Sequence, residues 1–110
     1  MKLTEQKAQP VLKGATAFPD DRVKELMSEI PLWSREENMI TREFRFRDFR
    51  EAMDFTNRVA ALANEEDHHP DITISYNKVR VTLTTHKVHG LTLNDFIVAA
   101  KIDALTDSRG

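Results

Sequence analysis

The four histidines of this chain lie close together in the sequence, at positions 68, 69, 86 and 89. Imidazole has a reference pKa of about 6.5, so it can give or take a proton near neutral pH. Two imidazoles on opposite sides of a small molecule can serve as a general acid and a general base, each worth roughly 10²–10⁴ in rate. The histidine cluster therefore predicts acid–base chemistry on a small substrate.

Two other interpretations of the histidines stay open from the residues alone. A histidine at the end of a strand is commonly a polar surface residue and nothing more. The four could also bind a metal ion, because neutral imidazole is a common ligand. Adjacent His68 and His69 are poorly placed to aim both rings at one ion, and no well-spaced carboxylates accompany them. We therefore expect no metal site.

A predicted β-hairpin positions the cluster. Apolar residues alternate with polar ones over 72–76 and again over 79–83. Residues 77–78 between them, Asn-Lys, are predicted to form a two-residue turn, since Asn tolerates the positive φ that such turns require. This register pairs Tyr76 with Val79 and keeps one face of the hairpin apolar.

Counting outward from that turn places His69 opposite His86 at the open end of the hairpin. Directly opposed residues have Cβ atoms about 4.5–5.5 Å apart. His68 precedes His69, and Pro70 restricts His69 to an extended conformation. The parity of the strand puts His86 on the polar, open face.

The rest of the chain predicts the order α-β-α-β-β-α. A first helix begins after Pro19 and ends at Pro31, and residues 39–46 read as a strand. A second helix begins at Asp48, with Glu51 at the capping-box position. It is apolar over much of its circumference, so it is predicted to lie centrally.

The last helix is predicted to begin at Thr92, after Gly90 breaks the chain, with Asp95 at its own capping-box position. The elements together indicate an α+β fold, a two-layer sandwich with helices packed on one face of an antiparallel sheet. We predict a flexible N-terminal arm over residues 1–18 and a single domain over 19–110.

Composition narrows the classes of function. The chain has 16 Lys+Arg against 18 Asp+Glu, a net charge of -2, so it lacks the basic footprint of a nucleic-acid-binding protein. The absence of cysteine excludes disulfides, Cys-ligated metals and thiol catalysis. No apolar run approaches the roughly 20 residues needed to cross a bilayer, and the N-terminus lacks the apolar core of a signal peptide. We expect a cytoplasmic protein with no membrane partner and no direct nucleic-acid partner.

These residues resemble the pterin-4a-carbinolamine dehydratase family, which includes the dimerisation cofactor of a homeodomain transcription factor. The resemblance covers roughly residues 20–104 and leaves the arm outside. Its most specific part is the run His-His-Pro followed at fixed spacing by Thr-His and Gly-Leu-Thr. The matching segments are Asp67-His68-His69-Pro70-Asp71, Tyr76-Asn77-Lys78-Val79, Thr84-Thr85-His86 and Gly90-Leu91-Thr92 with Asp95.

The resemblance implies a hydro-lyase that converts 4a-hydroxytetrahydrobiopterin to quinonoid dihydropterin without metal or cofactor. This step supports tetrahydrobiopterin recycling after aromatic amino acid hydroxylases, so a hydroxylase of the same pathway is an implied partner. The family fold implies a four-stranded sheet and a homodimer or homotetramer. The implied catalytic residues are His68, His69 and His86, and the implied substrate-binding residues are Pro70, Thr85, Lys87, Val88 and Asp95.

Three positions depart from the family pattern. Asn64 stands where Glu is frequent, Ile72 where Trp is common, and His89 where a small residue is usual. The alternative function is a non-catalytic regulatory, coactivator or assembly module on the same scaffold, since family members also act in this way. Retention of all three implied catalytic histidines favours the enzyme.

Overall fold

The computed structural model describes residues 2–107, so residues 108–110 of the predicted 19–110 domain lie outside the described part. Within residues 2–107, three α-helices and one four-stranded antiparallel sheet follow the order α-β-β-α-β-β-α. This arrangement confirms the predicted α+β fold. The bounds are α1 Asp20–Met27, β1 Ser34–Glu36, β2 Met39–Arg45, α2 Phe49–Glu66, β3 Asp71–Ser75, β4 Lys78–Leu83 and α3 Leu93–Asp107.

The sequence pattern did not predict β1. Its three residues are all exposed, so it has none of the apolar alternation that marks a half-buried strand. It forms a hairpin with β2 in which Ser34 pairs with Thr41 and Glu36 with Met39. Glu37 closes the turn with a φ of 52°.

The sheet has the strand order β1-β2-β4-β3 and buries one face. Trp33 and Arg42, from the β1–β2 side of the sheet, both donate to the Asp103 carboxylate of α3, at 2.8 and 2.6 Å. These bonds hold α3 over the sheet. The inward-facing residues of β2 and β4 form the floor of the core: Ile40, Phe44, Val79, Val81 and Leu83.

The central helix is α3, and the prediction that α2 lies centrally was wrong. Five consecutive residues of α3, from Asp95 to Ala99, are buried on all sides of the helix. The helix α2 buries a single stripe that includes Ala52, Phe55 and Val59. The helix α2 has more apolar residues than it buries, and Phe49, for example, is half-exposed.

The predicted register of the β3–β4 hairpin was also wrong. Ile72 pairs with Val81 and Ser75 with Lys78, so the two-residue turn is Tyr76-Asn77 rather than Asn77-Lys78. The two registers differ by two residues in their pairing, which leaves every side chain on the same face. The apolar face could therefore not distinguish between them.

A contact with Phe46, the residue that follows β2, fixes the observed register. The Asn77 carbonyl accepts from the Phe46 amide at 2.8 Å, and the Asn77 side-chain amide donates to the Phe46 carbonyl at 2.9 Å. The β3–β4 ladder ends at Asp71–Thr82. The chain then leaves β4 and forms a short 3₁₀ helix, His86–Val88. His69 and His86 are therefore not a cross-strand pair.

Tyr76 occupies the left-handed region of the turn, with a φ of 53°. For residues other than Gly, Asn or Asp, this conformation costs roughly 1–2 kcal/mol. Because the Tyr76 side chain is 66% exposed, its removal costs little packing. We expect Tyr76→Asn to raise the free energy of unfolding by about 1 kcal/mol in urea denaturation. Tyr76→Phe keeps the strain and should not; equal midpoints for both variants would contradict the strain argument.

Residues 2–18, which we call the N-terminal strap, run along the helices. The strap begins with a 3₁₀ helix, Leu3–Glu5, and buries Leu3 and Ala8. The Ala8 amide donates to the Glu66 carboxylate at 2.8 Å, and the Phe18 amide donates to the Leu91 carbonyl at 2.8 Å. The strap thus has defined contacts, and its flexibility stays a prediction. No α-helix among residues 2–107 has the length and apolar character to cross a membrane.

Candidate active site

The end of α2 aims the first two histidines. Asp67 adopts a left-handed conformation with a φ of 52°, which ends the helix and reverses the chain. The His68 amide still donates to the Ala63 carbonyl, at 3.2 Å. The His68 backbone is thereby tied to the last turn of α2, while its side chain is free to face α3.

His68 and Asp95 form the shortest contact of the site. His68 Nε2 lies 2.6 Å from Asp95 Oδ1, and the side chains are 11% and 0% exposed. Asp95 Oδ2 accepts from the Thr85 hydroxyl at 2.8 Å and from the Thr92 amide at 2.9 Å. Since a carboxylate accepts in such contacts, Nε2 of His68 is the donor to Asp95 Oδ1.

The other two histidines differ in how they are held. His69 Nε2 lies 2.9 Å from Asn64 Oδ1, one turn back along α2. His86 is exposed at the start of its 3₁₀ helix. Within the described residues, the His86 ring has no hydrogen-bond partner. The loop that carries it is closed by Thr85, whose amide donates to the Gly90 carbonyl at 2.9 Å.

The three histidines meet in one cleft of about 550 Å³. This volume lies within the roughly 300–1,000 Å³ typical of small-molecule sites. Four parts of the chain supply the walls: the strap, the end of α2, the loop after β4 and the start of α3. The lining residues are Lys7, Ala8, Gln9, Pro10, Val11, Glu65, Glu66, Asp67, His68, His69, Thr84, Thr85, His86, Lys87 and Asn94.

Comparison with known proteins decides the family. The model of the family described as pterin 4 alpha carbinolamine dehydratase matches residues 16–105. The chain belongs to this family.

The chain is also similar to individual family members. It is 42% identical to a protein of Rubrobacter xylanophilus over 104 residues, covering 94% of this chain and 97% of that one. It is 48% identical to a Picosynechococcus protein over 91 residues, covering 83% and 99%. Both relatives carry the name "putative pterin-4-alpha-carbinolamine dehydratase".

Two solved structures share the fold. A transcriptional coactivator/pterin dehydratase from Brucella melitensis superposes with a TM-score of 0.78 at 34% identity, covering 82% of this chain and 98% of that chain. A pterin dehydratase-like protein described as a RuBisCO assembly factor in the α-carboxysome gives a TM-score of 0.56 at 27% identity, covering 66% and 84%.

The structure of this dehydratase family member brings together most of the residues implied by the resemblance. His68, His69 and His86 line the cleft, with Thr85 and Lys87 beside them. Asp95 lies behind His68 and is fully buried, so it reaches the cleft through that ring. Pro70 and Val88 lie outside the cleft lining.

The three residues that depart from the family pattern lie in different surroundings. Asn64 holds His69 with a neutral amide oxygen. Ile72 packs on the core from β3, and His89 forms the left-handed turn before Gly90 with a φ of 53°. Neither of these two lines the cleft. Of the three positions, Asn64 alone has a hydrogen bond to an implied catalytic side chain within the described residues.

Sequence reasoning missed one wall of the cleft. Residues 7–11 of the strap, with Asn94 that bonds to Gln9, were not predicted at the site. No local pattern marks them, because their placement depends on the packing of the strap on α2 and α3. Over residues 2–107, no three His, Cys, Asp or Glu side chains are grouped as metal ligands.

Proposed function

We propose that the chain catalyses the dehydration of 4a-hydroxytetrahydropterins, such as 4a-hydroxytetrahydrobiopterin, to quinonoid dihydropterins. The observation that carries the proposal is the contact between His68 and the buried Asp95, in a cleft that also contains His69 and His86. Membership of the family supports it, as do the names of the relatives.

The reaction needs one proton donor and one proton acceptor. The C4a–O bond breaks and the hydroxyl leaves as water after gaining a proton. N5 loses its proton, and the electron pair of that N–H bond forms the C4a=N5 double bond. No electrons enter or leave, so two imidazoles in opposite protonation states are sufficient.

His68 is suited to be the base. Asp95 fixes its Nε2–H, so the lone pair is on Nδ1. The adjacent carboxylate also stabilises the imidazolium that forms when Nδ1 takes the N5 proton, as a buried Asp does for the histidine of a hydrolase triad. The same pairing fixes the orientation of the ring, which keeps Nδ1 in place during the reaction.

His86 is suited to be the acid. Its exposed ring has no partner among the described residues, so it exchanges protons readily with solvent and can be recharged after each turnover. His69, held at Nε2 by Asn64, stands as the second donor to the departing hydroxyl.

A stopped-flow assay with synthetic 4a-hydroxytetrahydrobiopterin tests the proposal. We expect the wild-type protein to accelerate formation of the quinonoid dihydropterin. His86→Ala should reduce kcat by about tenfold or more, since it removes one general acid. Wild-type protein that gives the spontaneous rate would refute the enzyme and favour the regulatory alternative.

The second candidate is a non-catalytic assembly or coactivator module. It is favoured by the similarity to the RuBisCO assembly factor and by the description of the Brucella protein as a coactivator/dehydratase. A protein of this kind has no need of an ordered His68–Asp95 pair. The cytoplasmic location, the homodimer or homotetramer, the hydroxylase partner and the role in recycling stay predictions.

A further inference from the structure

We infer that residues 7–11 of the N-terminal strap form the wall that binds the C6 substituent of the pterin. The inference rests on the proposed function. The first observation is that Lys7, Ala8, Gln9, Pro10 and Val11 line the same cleft as the three histidines. This is a continuous segment, and within it Ala8 is 8% exposed.

Hydrogen bonds fix this wall relative to the catalytic pair. The Ala8 amide donates to Glu66 Oε1 at 2.8 Å. The Gln9 amide donates to Asn94 Oδ1 at 2.9 Å, and Asn94 Nδ2 donates back to the Gln9 carbonyl at 2.7 Å. Glu66 is two residues before His68 and Asn94 is one residue before Asp95. The anchors of the wall are therefore on the same helix ends that hold the acid–base residues.

The strap is also fixed on its far side, beside the loop that carries His86. The Phe18 amide donates to the Leu91 carbonyl at 2.8 Å. Gly90 packs so closely on the strap that a Cβ built on it would lie 2.6 Å from the Ala17 Cβ. The strap is therefore fixed both before and after Pro10 and Val11, which holds these two residues of the wall in place.

The position and chemistry of the wall suit a substituent rather than the ring. The histidines act at C4a and N5, and C6 is bonded to N5, so a group on C6 projects next to the reacting atoms. The wall offers apolar contact from Pro10 and Val11, and polar groups from Lys7 and Gln9. This mixture suits a short hydroxylated alkyl chain. The family model begins to match at residue 16, so the wall lies outside the segment that this model covers.

The test compares two substrates on three proteins. Asn94→Ala removes both bonds to Gln9 and leaves the histidines and Asp95 in place. We expect its KM to rise about fivefold for the 6-dihydroxypropyl carbinolamine, with kcat little changed, because loss of one or two hydrogen bonds is worth about this factor. KM for the 6-methyl carbinolamine should not change. Lys13→Ala, an exposed strap residue outside the cleft lining, is the control.

A second measurement does not depend on the variant. Binding of 7,8-dihydrobiopterin to the wild-type protein should slow hydrogen exchange at the Ala8 and Gln9 amides. Unchanged exchange at these amides, or an equal rise in KM for both substrates in Asn94→Ala, would overturn the inference while wild-type turnover upholds the dehydratase. Wild-type protein that neither binds dihydrobiopterin nor accelerates dehydration would overturn both.

Discussion

Asp95→Asn will lower kcat for pterin dehydration by about 10²–10³-fold, a loss of the size expected when a general base is disabled. The amide oxygen of the substituted side chain can still accept from the Thr92 amide, which leaves its –NH₂ group facing His68. His68 must then present a bare Nε2, so its hydrogen moves to Nδ1. The lone pair that would take the N5 proton is lost although the ring stays in place.

The measurement is single-turnover stopped-flow kinetics together with the far-UV spectrum and the unfolding midpoint. Thr92→Val is the matched control, because it alters the same helix start and the bond to the Thr85 hydroxyl but keeps the His68–Asp95 contact. It should keep most of the wild-type kcat. Equal losses of kcat in the two variants would show that Asp95 acts through the fold and not through His68.

Glu66→Ala will lower the free energy of unfolding by about 3 kcal/mol, the scale for removing one partner of a buried ion pair. The Glu66 side chain is 6% exposed and lies 2.8 Å from the Lys101 ammonium. Its loss leaves the Lys101 charge and the Ala8 amide without this acceptor. Urea denaturation measures the difference, and Glu65→Ala removes the same charge from the exposed neighbouring position as the control. Equal losses of stability in the two variants would contradict the role given to Glu66.

The contribution of Glu66 depends on pH in a defined direction. Burial raises the pKa of its carboxyl, but hydrogen bonds from Lys101 and the Ala8 amide, with the charges of Lys101 and Lys7, outweigh burial and hold the pKa below its ordinary 4.5. A group with a lowered folded-state pKa stabilises the fold above its unfolded value, and that stability is lost as pH falls through the folded value. The difference between wild type and Glu66→Ala should therefore be full above pH 4.5 and shrink below it.

Local rules predicted the elements of this fold better than their arrangement. Asp48 accepts from the Glu51 amide at 2.9 Å, and Asp95 accepts from the Thr92 amide, so one bond of each predicted capping box is present. The same rules could not predict the hairpin register, because a shift of two residues in the pairing leaves every side chain on the same face of the hairpin. What selects the register is Phe46, which comes 31 residues before Asn77.

The candidate site likewise has one part that could be predicted from the sequence and one part that could not. The histidine motif and Asp95 could be assigned from the sequence because the family pattern covers them. The strap wall could not, since Lys7 to Val11 carry no periodic or motif signal and reach the cleft only through packing on two helices. The central position of α3 could not be predicted from the sequence for a related reason. Burial of Asp95 to Ala99 on every side requires the strap to cover the face of α3 that would otherwise meet solvent.

The three contacts of Asp95 bear on how distant relatives should be interpreted. One carboxylate oxygen serves the His68 ring, and the other serves the start of α3 and the Thr85 hydroxyl. A descendant that abandoned catalysis for an assembly role would still need an acid at this position to begin the helix. An aspartate retained here is therefore a poor marker of enzymatic descent, whereas loss of the histidine opposite it is an informative one.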